Sequence, residues 1–263
     1  MMKVIDPAIV GGWLAGGLFA GILAFLALGR WIGKRTTARA GGTPAPSIAS
    51  MQAAVFALLG LLIAFTFSGA LTRFDVRRAQ VVEEANAIGT AYLRVDLLPA
   101  AAQPRLRDTF REYVDARIAT YRKLPDLAAA RGELARSQEL QNAIWAQAVA
   151  TLGMPESRPS ADVLVMTALN QMFDITTTRV AATRMHPPSV IYAMLIGLAL
   201  ASALLAGYQG AAEPRPDWMH QLGFAFIIAA TVYVILDIEH PRLGVVRMDA
   251  IDDLLVNVRA GMK

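Results

Sequence analysis

The stretch LLIAFTFSGALTRFDVRRAQVVEEANAIG, Leu61 to Gly89, decides the fold. Its first half is apolar enough to dissolve in lipid, and its second half is charged. No proline interrupts the run from Met51 to Leu98, and Pro99 ends it. At about 1.5 Å per residue, one helix over that run is about 70 Å long. The hydrocarbon of a bilayer takes about 30 Å of it, so about 40 Å of the same helix should stand in water.

The whole chain agrees with a membrane protein. Its 263 residues are 55% hydrophobic, too apolar for an ordinary soluble domain of this size. The formal charge is +4, but Arg and Asp/Glu are interleaved, so there is no nucleic-acid-binding stripe. With no cysteine, disulfides, thiol catalysis and thiolate metal sites are excluded. Ile9–Leu28, Ser50–Leu71, Ser189–Gly210 and Trp218–Leu236 each approach the ~20 apolar residues a span needs. The first reads as an uncleaved span, although TARA (Thr37–Ala40) weakly resembles a cleavage site. A basic loop, RWIGKRTTARAGGTPAPS (Arg30–Ser47), closes the first hairpin, and GAAEPRPD (Gly210–Asp217) closes the second.

The reading is an all-α polytopic membrane protein with four transmembrane helices. A first hairpin covers 1–73, a helical bundle 74–187, a second hairpin 188–237 and a tail 238–263. The bundle is thus inserted between spans two and three. After the long helix, Pro104 suits the first turn of the next, where Leu106, Phe110, Tyr113, Val114, Ile118 and Tyr121 repeat at helical spacing. Another helix is expected over Leu127–Leu152. Ser160 is the expected N-cap of the last, which ends at MHPP and carries Val163, Met166, Leu169, Asn170, Phe173 and Val180. The tail turns at Pro241 and Gly244 and continues as a short amphipathic helix. Lys3, Arg73, Arg77, Arg78, Arg179, Arg184, Arg242 and Arg247 flank the spans on the bundle side. That places the bundle and both termini in the cytoplasm by the positive-inside rule, against Arg30, Lys34, Arg35, Arg39 and Arg215 opposite.

Span two carries two stripes. Ala53, Ala57, Gly60, Ala64 and Ser68 make a small-residue face of the kind that lets helices approach closely in lipid. Beside it run the bulky Phe56, Ile63, Phe67 and Phe74, with Thr66 and Gln52 as polar neighbours. The small face either packs the four spans of one chain together or packs span two against its copy. In the second case the bulky stripe forms a constriction that gates by dewetting. Gly12, Gly16, Ala20, Gly17 and Gly21 of span one, and Ala193, Gly197 and Ala201 of span three, offer further small faces.

Chemistry is sparse. No span has a charge near its centre, which argues against a coupled transporter. Arg77, Glu83, Glu84 and Asn86 stand on the long helix beyond the lipid. They form a vestibule ring that selects ions, or else Glu83, Glu84 and Asn86 pair with Arg77, Arg78 or Arg179 or stay solvated. DIEH (Asp237–His240) reads as capping plus an ion pair with Arg242 rather than a metal site. No metal site, cofactor, nucleophile elbow or phosphate loop is expected, and no catalytic residue is assigned. Trp13, Trp31 and Trp218 suit an interfacial belt, Tyr113 and Trp145 a bundle core.

LLGLLIAFTFSGALTRFDVRRAQVVEEANAIGTAYLRVDLLP (Leu58–Pro99), FREYVDARI (Phe110–Ile118), LNQMFDITTTRV (Leu169–Val180) and ILDIEHPRLGVVRM (Ile235–Met248) resemble the bestrophin-like family of bacterial membrane proteins. That family shares with bestrophins four spans, a helical insert after the second and a returning tail. The resemblance implies a homo-oligomer, pentameric by analogy, in the bacterial inner membrane. It implies an ion channel, mostly anion-conducting, handling small inorganic ions and not an enzyme. Phe56, Ile63, Thr66, Phe67 and Phe74 would then line the pore and its neck. The alternative is a non-conducting membrane scaffold or sensor whose bundle binds a cytosolic partner.

Overall fold

The structure, a computed structural model, describes residues 7–40, 46–213, 215, 217–242 and 244–263. Lys3 and the Gly-Pro punctuation at 41–45 lie outside the described residues. The helices are α1 (Pro7–Ala40), α2 (Pro46–Arg94), α3 (Gln103–Arg122), α4 (Leu127–Val149), α5 (Pro159–Ala182), α6 (Ser189–Gln209), α7 (Trp218–Glu239) and α8 (Asp249–Gly261). Short 3₁₀ turns follow α2 at Val95–Leu97 and α6 at Gly210–Ala212. Among the described residues there is no strand.

Four of these helices, α1, α2, α6 and α7, are long and apolar enough to cross a membrane. α2 is one unbroken helix of 49 residues, as the proline-free run requires. α1 extends to Ala40, so Arg30–Ala40, read from sequence as loop, is helical instead. The run lacks a proline to stop it. α5 starts at Pro159 with Arg158 as its N-cap, and Ser160 lies inside the first turn rather than capping it. A proline at the first helical position supplies a preset φ and forgoes only an amide that would have no helical partner. α4 does have a side-chain cap: Asp126 accepts from the amides of Ala128 and Ala129, each at 3.0 Å.

The chain divides into two compact units. The first comprises Met1–Arg73 and His186–Gly244. Here α1 packs along α6 and α7. The α1–α6 crossing is a backbone-to-backbone approach. A Cβ added at Gly29 would lie 2.0 Å from the Leu204 carbonyl oxygen, and one at Gly207 would lie 2.0 Å from that of Leu26. Arg30 then seals the end of α6, donating to the carbonyls of Gly210 (2.9 Å) and Glu213 (2.7 Å). The Gly210 carbonyl already accepts from the Glu213 amide at 3.3 Å, so the arginine adds a charged donor at the end of the helix, where cations are favoured. Gly12, Gly16, Gly17 and Gly197 have nothing within 4 Å of an added Cβ. The small faces expected from sequence on spans one and three are therefore not the ones the fold uses, Gly21 against Leu200 excepted.

The second unit comprises Phe74–Met185 and Val245–Lys263. α3 and α4 pack as a helical hairpin, and α8 packs on α3. The core gathers Ile88 and Val95 of α2 and its turn, Phe110, Tyr113 and Val114 of α3, Ile144 of α4, Leu169 and Met172 of α5, and Leu255 of α8. Trp145 rests at the edge of this core, 37% exposed, with its ring 6.3 Å from that of Phe173. Along the second half of α2 the buried residues include Arg77, Val81, Glu84, Ile88, Ala91 and, in the turn, Val95, with Ala85 and Tyr92 beside them. Steps of four and three residues keep one stripe facing inward, as in helical bundles.

Candidate functional site

The face of α2 decides what the molecule can do. In its apolar half Leu59 and Ala70 are buried, and Phe56, Ile63, Thr66 and Arg73 are half-buried. These positions continue the inward stripe of the second half. Phe56 meets Phe224 of α7 at 5.6 Å between ring centroids. The Thr66 hydroxyl donates back to its own helix, to the carbonyls of Leu62 (2.8 Å) or Ile63 (3.0 Å). Phe74 is half-buried, and the Arg78 guanidinium sits 5.6 Å from its ring centre.

The other side of α2 is open. Ala53, Ala57, Gly60, Ala64 and Ser68 are all exposed in the single chain, and so is Phe67 at 39%. A Cβ added at Gly60 would meet nothing within 4 Å. The small stripe therefore does not pack the spans of one chain together, which was one of its two readings.

The polar residues singled out on α2 separate in the same way. Glu84, read from sequence as either a vestibule charge or an ion-pair partner of Arg77, Arg78 or Arg179, is fully buried, where it holds two guanidiniums, Arg179 among them. Arg117 Nε donates to Glu84 Oε1 at 2.6 Å, and Arg179 Nη1 pairs with Oε2. Arg179 also reaches Asp252 of α8 at 2.9 Å and stacks 3.8 Å above the ring of Tyr121. Two carboxylates thus balance two buried cations across α2, α3, α5 and α8. Such a set stabilises little over an apolar core, but losing one member strands a charge. Burial acts against the Arg117 cation, yet the Tyr121 oxygen and the Glu84 carboxylate raise its pKa above the usual arginine value. Tyr113, hydrogen-bonded to Thr176 at 2.9 Å, is pushed up to about 12, chiefly by burial. Arg117 stays charged and Tyr113 stays protonated, which suits a structural knot and not proton transfer.

Arg77 is buried as well, donating to the carbonyls of Ala182 (3.3 Å) and Met185 (3.0 Å) at the end of α5. Glu83 and Asn86 are exposed. They line an open cleft of about 420 Å³ with Thr90 and, from α5, Gln171, Asp174 and Thr178. Within the first unit, Arg73 closes the end of the α2 span on Glu239 of α7, with Nε 2.7 Å from Oε1. His186 Nδ1 stands 3.5 Å from the other oxygen of Glu239. Among the described residues no group of three or more His, Cys, Asp or Glu could hold a metal ion.

Sequence reasoning missed Arg117 and the Arg73–Glu239–His186 cluster. Arg117 did leave a signal. It occupies the apolar stripe of α3, in step with Leu106, Phe110 and Tyr113. A cation at a core position implies a buried carboxylate opposite.

A family model described as the Bestrophin-like domain matches residues 20–250. The chain belongs to the bestrophin-like family. Its fold is also that of a bacterial bestrophin homologue from Klebsiella pneumoniae, solved as a crystal structure of a point mutant. The two align with a TM-score of 0.63 at 13% identity, over 91% of this chain and 98% of that one. No curated protein matches. As a bestrophin-like protein with four spans, this chain is a membrane protein. The bestrophin fold agrees with the long α2 and with α3–α5 lying between spans two and three in chain order.

Proposed function

We propose that this protein is a homo-oligomeric ion channel whose copies meet along the exposed small-residue stripe of α2. The observation that carries the reading is that stripe itself. Ala53, Ala57, Gly60, Ala64 and Ser68 are all uncovered, on a span whose opposite side is already occupied within the chain. Small residues in lipid favour close helix contact, since apolar attraction between helices is weak there. Family membership supports the same conclusion. Five copies around an axis is the assembly proposed by analogy with bestrophins. The proposed setting is a bacterial inner membrane, with the bundle and both termini cytoplasmic.

Beside the stripe, Ile63 and Phe67 supply the bulk for a hydrophobic neck. Phe67 is exposed and Ile63 stands at the edge of the open face. Phe56, engaged by Phe224, and Phe74 flank them. A ring of such side chains gates by excluding water.

Charge bears on which ion passes. Anion conduction, which the resemblance implies, would be favoured by free cations near the mouth, where Arg73, Arg77 and Arg78 stand. Arg73 is bound to Glu239, Arg77 to backbone carbonyls, and Arg78 lies 3.6 Å from Asp75. The open cleft beside α2 presents Glu83 and Asp174. This balance favours cations along the proposed path.

The test is current across planar bilayers under a salt gradient, with the Ile63→Ala/Phe67→Ala variant alongside. Unitary currents that grow in the variant are expected, with a reversal potential on the cation side. Silence from a verified oligomer would overturn the channel in favour of the scaffold.

A further inference from the structure

The end of the first unit where α1 and α6 finish and α7 begins carries the cations that oppose the positive-inside assignment. Arg30, Lys34 and Arg35 stand on α1, and Arg215 in the connection to α7. Close packing fixes this turn of α1. A Cβ added at Gly33 would lie 2.6 Å from the Tyr208 carbonyl oxygen, and the Thr36 hydroxyl is 3.0 Å from the Tyr208 hydroxyl. The basic turn is thus seated on the end of α6.

Its charge is left largely uncancelled. Arg30 donates to the carbonyls of Gly210 and Glu213, which are neutral acceptors. The Arg35 guanidinium lies over the Trp31 ring, 3.7 Å from its centre, which orients the cation without neutralising it. Lys34 and Arg215 are exposed. Among the described residues, no carboxylate stands within ion-pair distance of any of the four. Glu213 is exposed, and Asp217 is turned to His220, with Nδ1 2.5 Å from Oδ2. A helix end supplies only about half an elementary charge. Arg30 and Lys34, four residues apart on one helix face, also repel each other. At the opposite end of α7, by contrast, Arg73 is met by the carboxylate of Glu239.

We propose that this end of the first unit binds the phosphodiester of an anionic phospholipid. Lys34, Arg35 and Arg215 take the phosphate oxygens, as ammonium and guanidinium groups do. Trp31 and Trp218, both exposed, lie against the glycerol backbone at the depth where indole rings gather. A lipid is the fitting occupant because α1, α6 and α7 are spans, so their ends lie in the headgroup layer. There a phosphate is always at hand, and uncancelled cations select headgroups with net negative charge. The cations then serve lipid binding and not topology.

The site does not depend on conduction, and its test needs no current. The full-length protein in detergent is titrated with phosphatidylglycerol, or with phosphatidylcholine of the same acyl chains, and bound lipid is counted by native mass spectrometry. Phosphatidylglycerol should bind about tenfold more tightly. Lys34→Gln/Arg35→Gln should bring its affinity down to that of phosphatidylcholine, and Glu213→Gln should raise it. Arg78→Gln, which removes a half-exposed cation outside the first unit, should leave it unchanged. The same spectra show whether each variant keeps the parent's assembly. Equal affinity for the two lipids would overturn the proposal. So would an unchanged affinity in Lys34→Gln/Arg35→Gln, or an equal loss in Arg78→Gln. Displacement of the lipid by millimolar inorganic phosphate would overturn the assignment to lipid in favour of a general anion site.

Discussion

Where α1 crosses α6, glycine is consumed by the fold; along the apolar half of α2, it is left over. Gly29 and Gly207 sit where two backbones touch, with no room for a methyl group. Gly60 and its alanine and serine neighbours face open space. The two stripes look alike in sequence. The difference teaches that a small-residue face is a capacity for close approach, and that its user must be found in the structure. The chain satisfies one face internally and leaves the other uncovered.

That contrast can be broken by substitution. Gly207→Leu should have the largest effect, because the side chain would have to displace the backbone of Leu26. We expect a loss above about 4 kcal/mol, seen as failure to recover a monodisperse protein by size-exclusion chromatography. Glu84→Ala tests the inward face of the same long α2. It strands the buried Arg117, leaves Arg179 with Asp252 alone, and should cost about 3–5 kcal/mol in thermal or denaturant unfolding. Gly60→Leu is the sharper comparison with Gly207→Leu. The chain should still fold, within about 0.5 kcal/mol as for an uncovered surface position, while the oligomer mass from native mass spectrometry falls. Gly12→Ala should be the mildest, neutral or stabilising by at most about 1 kcal/mol, since only helix propensity changes. A Gly60→Leu variant that lost its fold as Gly207→Leu does would erase the distinction.

Much of the architecture was legible in the sequence because its signals are local. The missing proline between Met51 and Leu98 dictated one long helix, and the apolar lengths dictated the spans. Helix ends were less legible. The basic run after Leu28 looked like a loop, yet nothing in it stops a helix, and α1 continues. Ser160 looked like a cap, but Pro159 had already begun α5.

Long-range partners were the hardest. Arg179 was a foreseeable partner for Glu84, but Arg117, on an apolar stripe, was not connected to it. Glu239 belongs with Arg73, 166 residues away in sequence. Pairing of that kind depends on which helices meet, and no spacing rule reports it. Helical periodicity likewise found both stripes of span two but could not say which was free. Only the burial of Leu59 and Ala70, and the contact of Phe56 with Phe224, show which side the chain keeps for itself.

The central claim is that the open face of α2 is where copies of this chain meet. Single cysteines placed one at a time along α2 of this cysteine-free protein test it most directly, by oxidative cross-linking in native membranes. Disulfide-linked dimers should form at Ala57, Gly60, Ala64 and Ser68 and be absent at Leu58 and Phe65 on the other exposed side. Cross-linking at Leu58 and Phe65, with none along the small stripe, would contradict the account.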